Sequence, residues 1–160
     1  MNENPSWHDQ DVLVDAVLTA SRVLVAIAAR SLADAGEAVT LTQYRALVVL
    51  ASRGPQSLAT LAEALAVTPP TASRMCERLV RKRLVSRRLD RSDRRQVRIA
   101  LSETGRQLID AVSANRRREI ATLLAYIPPE DRPALVVALR RLAASAGELP
   151  EQDWSSGWDL

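Results

Sequence analysis

Thr71, Ser73, Arg74 and Arg78 share one stretch of chain, Pro69 to Lys82, with Ala72, Met75, Cys76, Leu79 and Val80. The apolar members recur at spacings of three and four, so on a helix they form one stripe and leave hydroxyls and guanidiniums on the remaining surface. Such groups hydrogen-bond base edges and phosphates, and Arg can hold guanine through two parallel bonds. Residues nearest the start of a groove-reading helix go deepest, which makes Pro70, Thr71, Ser73 and Arg74 the base-reading set and Arg78 a phosphate ligand. An ordinary amphipathic surface helix has the same pattern, so the stretch needs support from the rest of the chain.

Charge supplies some. Net charge is +3 over 160 residues, yet Thr71 to Arg106 alone carries twelve basic and four acidic side chains, which leaves the remainder at −5. One basic face on an acidic body is the footprint of a nucleic-acid binder, although a solvated Arg-rich surface accounts for the charge equally well. Within that span Asp90-Arg91-Ser92-Asp93-Arg94-Arg95 separates two short runs with β-branched residues. Arg91, Arg94 and Arg95 at a hairpin tip suit insertion into a narrow, A·T-rich minor groove, with Asp90 and Asp93 holding the guanidiniums by ion pairs.

Other chemistries lack their residues. The five Gly (36, 54, 105, 147, 157) are too scattered for a phosphate loop, and the lone His8 has no evident nucleophile to activate, so no enzyme is expected. One Cys and one His exclude a disulfide framework and leave too few ligands for zinc; no cofactor or metal is expected, and a cytoplasmic location follows. Cys76 falls on the apolar stripe and reads as a small buried hydrophobe. Met1 to Gln10 does not resemble a signal peptide. Val12 to Ala29 is interrupted by Asp15 and Arg22 and reads as a buried helix rather than a membrane span.

The composition, 47% hydrophobic with no Phe, calls for a core of Leu, Val, Ile and Ala in one domain plus a modest oligomerisation element. Apolar periodicity predicts a helix over 11–35. Thr40 and Gln43 form a capping box for a helix over 41–51, stopped by Arg53-Gly54-Pro55. Ser57 caps a short helix 58–65 at a place where a phosphate could approach, and Thr68 caps a helix 69–82 with Pro at its first position. Strands are expected over 84–89 and 96–101. Ser102 caps a long helix 103–127, Pro128-Pro129 break it, a last helix spans 133–146, and the acidic tail 147–160 is expected to be flexible. The order is mainly α with a small β wing: a winged helix-turn-helix DNA-binding domain over 38–102, with long N- and C-terminal dimerisation helices over 11–35 and 103–146.

The runs Thr40–Leu47, Leu58–Leu65, Thr68–Met75 and Asp90–Leu101, the last followed by Ser-Glu-Thr-Gly, stand in an order and spacing that resembles the MarR family of bacterial winged-helix regulators. The resemblance implies a two-fold homodimer on a near-palindromic double-stranded operator, acting as a repressor released by a small aromatic or phenolic ligand. It also implies that Arg94 enters the minor groove with Asp93 and Arg95 in support, and that Thr71, Ser73 and Arg74 contact DNA. No ligand-binding residues stand out. Arg83 occupies a place where similar sequences carry Gly, which implies a strained residue or a differently finished helix. A nonspecific architectural DNA-binding protein is the rival reading, because it would share the basic face without needing base readout.

Overall fold

A computed structural model describes the backbone of residues 5–36, 39–89 and 96–157, with side chains from 9 to 154 within those segments. Helix α1 runs Pro5–Asp34 and α2 Leu41–Arg53, followed by the two-residue strand β1, Gln56–Ser57. Then come α3 (Leu58–Ala64), α4 (Pro69–Arg81), β2 (Val85–Leu89), β3 (Val97–Leu101), α5 (Glu103–Leu124), α6 (Arg132–Ser145) and a 3₁₀ helix, Glu151–Gly157. The strands form one antiparallel sheet in the order β1-β3-β2, with Gln56 opposite Ile99 and Val85 opposite Leu101.

Local chemistry accounts for most boundaries. The Thr40 hydroxyl accepts from the Gln43 backbone at 3.2 Å while the Gln43 amide oxygen accepts from Thr40 N at 3.0 Å, the reciprocal capping box read from the sequence. Ser57 and Ser102 cap α3 and α5 by accepting from Thr60 N and Gly105 N. Thr68 departs from the pattern. Pro70 has no N–H to offer at the second helical position, and the Thr68 hydroxyl pairs instead with that of Thr71 at 2.9 Å.

α3 and α4 each end in a left-handed residue that is not Gly. Ala66 (φ 52°) and Arg83 (φ 60°) follow the two helices, and in each case the next two N–H groups turn back onto the last carbonyls: Ala66 to Glu63 and Val67 to Ala62, Arg83 to Val80 and Leu84 to Leu79. Arg83 is therefore the strained alternative of the two expected. A Cβ in this region costs roughly 1–2 kcal/mol. Arg83→Gly is expected to stabilise the fold by about 1 kcal/mol and to raise the thermal midpoint by roughly 2–4 °C in a calorimetric or circular-dichroism melt. An unchanged or lower midpoint would refute the strain.

The core gathers Leu47 and Leu50 of α2, Leu61 of α3, Cys76 and Leu79 of α4, Leu84, Ile99 and Leu101 of the hairpin, and Leu108, Ile109 and Val112 of α5. α5 buries only its first half there. α1 packs along α5, with Arg30 paired to Glu119 at 2.6 Å, yet residues 9–26 of α1 are exposed and α6 buries nothing. The sequence reading of Val12 to Ala29 as buried does not hold within one chain, because the rest of the chain covers only the end of α1 around Ile27, Ser31 and Leu32.

The tail also differs from expectation. Over Glu151–Gly157 it winds into the 3₁₀ helix and lies on α2; Trp154 packs against the core and donates its indole N–H to the Leu149 carbonyl. Arg45 of α2 pairs with Glu148, whose carboxyl it holds below the usual range, and Arg117 of α5 pairs with Glu151.

Candidate nucleic-acid interface

On α4 the buried stripe is Ala72, Met75, Cys76 and Leu79. At 100° per residue, Pro70, Arg74, Glu77 and Arg81 form the row directly opposite, and all four are exposed. Thr71 and Arg78 flank that row on one side, Ser73 on the other. Ser73 is half-buried and donates its hydroxyl hydrogen to Glu77 at 3.4 Å, which leaves its oxygen free to accept from a base amino group.

The helix rides between two open recesses. One, about 360 Å³, lies against the start of α2 and is lined by Thr40, Thr42, Gln43, Thr71, Arg74 and Arg78 among others. The second, about 340 Å³, is lined by Glu77, Val80, Arg81 and Arg87. The structure thus brings Pro70, Thr71, Arg74 and Arg78 onto one surface with Ser73 at its edge, and keeps Ser57 at the start of α3. Asp90, Arg91, Asp93, Arg94 and Arg95 lie outside the described residues, between the paired ends Leu89 and Val97.

Arg81 and Arg87 line the second recess, Arg88 is exposed at the next position of β2, and none of the three was among the sequence candidates. Arg81 was recoverable, since it continues the outward row eleven residues after Pro70. Arg87 and Arg88 had no such signal: as consecutive strand residues they point to opposite faces, and both are exposed because neither face is covered at the outer end of β2.

Cys76 is fully buried, burial pushes its thiol up, and the opposing pull of Arg87 is the smaller effect. Operator binding by the parent is therefore expected to survive mild peroxide, and Cys76→Ser to bind equally well with a modestly lower melting temperature. Release of the parent by peroxide, but not of Cys76→Ser, would overturn this.

A smaller cavity of about 160 Å³ sits where α2, β3, α5 and the tail meet, lined by Ala51, Leu101, Arg106, Ile109, Asp110, Glu151 and Trp154. Nearby, Tyr44 of α2 faces Ser113 and Arg116 of α5, and burial raises its phenol pKa.

A helix-turn-helix whose second helix shows a polar, basic outer row, followed by a hairpin and a long helix, is the arrangement of a winged-helix DNA reader. The MarR family model matches residues 39–97. The HTH-type transcriptional repressor NicR of Pseudomonas putida is 33% identical over 107 residues, which is 67% of this chain and 68% of that protein. The chain belongs to the MarR family. The crystal structure of RV1404 from Mycobacterium tuberculosis superposes with a TM-score of 0.82 at 41% identity, over 94% of this chain and 99% of the other. BpsR of Bordetella bronchiseptica, whose DNA binding is regulated by 6-hydroxynicotinic acid, superposes with a TM-score of 0.59 at 26% identity, over 81% and 91% of the two chains. As a MarR protein the chain is a DNA-binding transcriptional regulator and not an enzyme, and relatives of it are repressors.

Proposed function

We propose that the protein is a cytoplasmic, dimeric, sequence-specific repressor that binds a near-palindromic operator and leaves it when a small aromatic or phenolic effector binds. Residues 38–102 are the reading unit, and 11–35 with 103–146 the dimerisation helices. The outward row Pro70, Arg74, Glu77 and Arg81 on α4 carries this reading, because it sets base-reading and phosphate-binding groups side by side on the exposed surface. Thr71, Ser73 and Arg78 extend the contact, and Arg91, Arg94 and Arg95 of the wing take the minor groove, supported by Asp90 and Asp93.

The exposed apolar side chains of α1, α5 and α6 support dimerisation. Val14, Val17, Leu18, Leu123, Leu124, Val136, Leu139 and Leu142 are each at least 40% exposed in the single chain. Leaving such a face in water costs about 25 cal/mol per Å², and a second copy would cover it. α1 is long and apolar enough to cross a bilayer, but Arg30 and Glu119 tie it to α5 of its own chain, which fits a packed helix better than a lone membrane span. For the effector, the cavity beside Trp154 is about the size of one aromatic ring and lies between the reading unit and α5.

The deciding experiment compares a palindrome selected by the protein with random DNA, where a specific regulator shows an affinity ratio of roughly 10³ or more and an architectural protein a ratio near one. Two variants then test the face. Arg94→Ala is expected to weaken binding on most sequences and to reduce the slope of log affinity against log salt by up to about one. Ser73→Ala is expected to keep that slope while relaxing discrimination at one or two operator positions by roughly 1–3 kcal/mol. Parent-like slope and specificity in both variants would mean that the face is wrongly assigned.

A further inference from the structure

We propose that Pro70 reads the C5-methyl group of a thymine, so that each operator half-site carries a thymine at the base this ring faces. The inference rests on the DNA-recognition reading above and names one base contact within it.

The first turn of α4 is unusual in what it withholds. A helix start normally presents unpaired N–H groups, and these serve phosphates and base acceptors alike. Here Pro69 and Pro70 occupy the first two helical positions and have no N–H to give. The hydroxyls around them each already make one bond within the helix, Thr68 with Thr71 at 2.9 Å and Ser73 toward Glu77 at 3.4 Å, and none of them lies on the outward row that Pro70 heads.

What this turn does present outward is the exposed Pro70 ring, three methylenes that neither donate nor accept. Pro70 heads the row opposite the buried stripe, one turn before Arg74 and two before Glu77, whereas Pro69 is turned to the side. A base edge offering only donors and acceptors would lose water against this ring and gain nothing in return. The major-groove edge of B-DNA has one apolar group, the thymine methyl, and the ring's shape and chemistry match it. A phosphate would find no donor at Pro70, so the ring contributes to sequence preference and not to general affinity.

The test uses the full chain. An operator is selected from a random duplex pool, and each thymine of the half-site is then replaced by uracil, which removes the methyl and keeps the pairing. One position is expected at which uracil weakens binding roughly fourfold per half-site, or roughly fifteenfold when both half-sites are changed, the effect of uncovering one methyl. Pro70→Ser, an exposed change whose folding a melting curve checks, is expected to bind the thymine operator with the same loss and to treat thymine and uracil alike there.

A selected half-site without thymine, uracil tolerated at every position, or undiminished discrimination in Pro70→Ser would each overturn the proposal. The uracil scan with the parent decides by itself if the variant does not fold. Indifference to uracil on a strongly preferred sequence defeats this inference alone, while a chain that selects no sequence at all defeats the DNA-recognition reading and this inference with it.

Discussion

Replacing Leu18 and Leu139 together by Asp is expected to leave the protein monomeric at micromolar concentration and to lower its affinity for a two-half-site operator by at least roughly a hundredfold. Leu18 on α1 is 52% exposed in the single chain and Leu139 on α6 is 51% exposed, so neither supports the fold of its own protomer to any great extent. In a dimer both are covered, and each Asp would then have to lose water without a partner charge. The affinity falls for a separate reason. A monomer engages one half-site and forfeits the second, intramolecular binding event that a joined pair of reading units provides. Sedimentation and operator titration on the same samples check both parts. A parent that sediments as a stable folded monomer, or a double variant that still dimerises, would refute the assignment of this face. α6 gives the argument its weight: a helix of 14 residues with none buried is marginal in water and needs a surface to lie on.

Gly105→Ala is expected to cost about 2–4 kcal/mol, enough to lower the thermal midpoint by roughly 10 °C. A Cβ built on Gly105 would meet the Leu84 carbonyl oxygen at 2.1 Å and Leu101 Cδ1 at 2.8 Å. A leucine side chain can turn aside, but a backbone carbonyl cannot. The same carbonyl accepts from Ser102 N at 3.1 Å, and the Ser102 hydroxyl donates to the Arg83 carbonyl at 2.5 Å while accepting from Gly105 N at 3.0 Å. Any shift that admits the methyl therefore loosens the joint between α4, the hairpin and α5. Thr104→Ala, at the exposed neighbouring position, is the control and is expected to stay within about 0.5 kcal/mol of the parent. Equal midpoints for the two variants would refute the close-approach argument.

Gly105 also marks the edge of what the chain reveals before it folds. Its conformation is ordinary, so no rule of turn or cap singles it out, and its role comes from Leu84, twenty-one residues earlier. Arg83 was legible only through the family resemblance, because similar sequences carry Gly at that helix end. Ala66 ends α3 in the same way, yet Ala is unremarkable in a sequence.

By itself the sequence determined the order of the six helices and the hairpin, the caps at Thr40, Ser57 and Ser102, the placement of Cys76 on the buried side of α4, and the concentration of basic charge between Thr71 and Arg106. Apart from the charge, which is a count along the chain, each of these depends on residues within a turn or two of one another, where periodicity, capping and proline chemistry decide the outcome. Tertiary structure alone decided the rest. β1 is two residues long and exists only because β3 offers Gln56 and Ser57 an edge to pair with. The tail looked loosely ordered because nothing near it in sequence could bury Trp154; the core it packs against, and the partners Arg45 and Arg117, come from α2 and α5. The exposure of residues 9–26 likewise could not be read from an apolar helix, since composition records how much surface needs covering but not whether the cover belongs to the same chain.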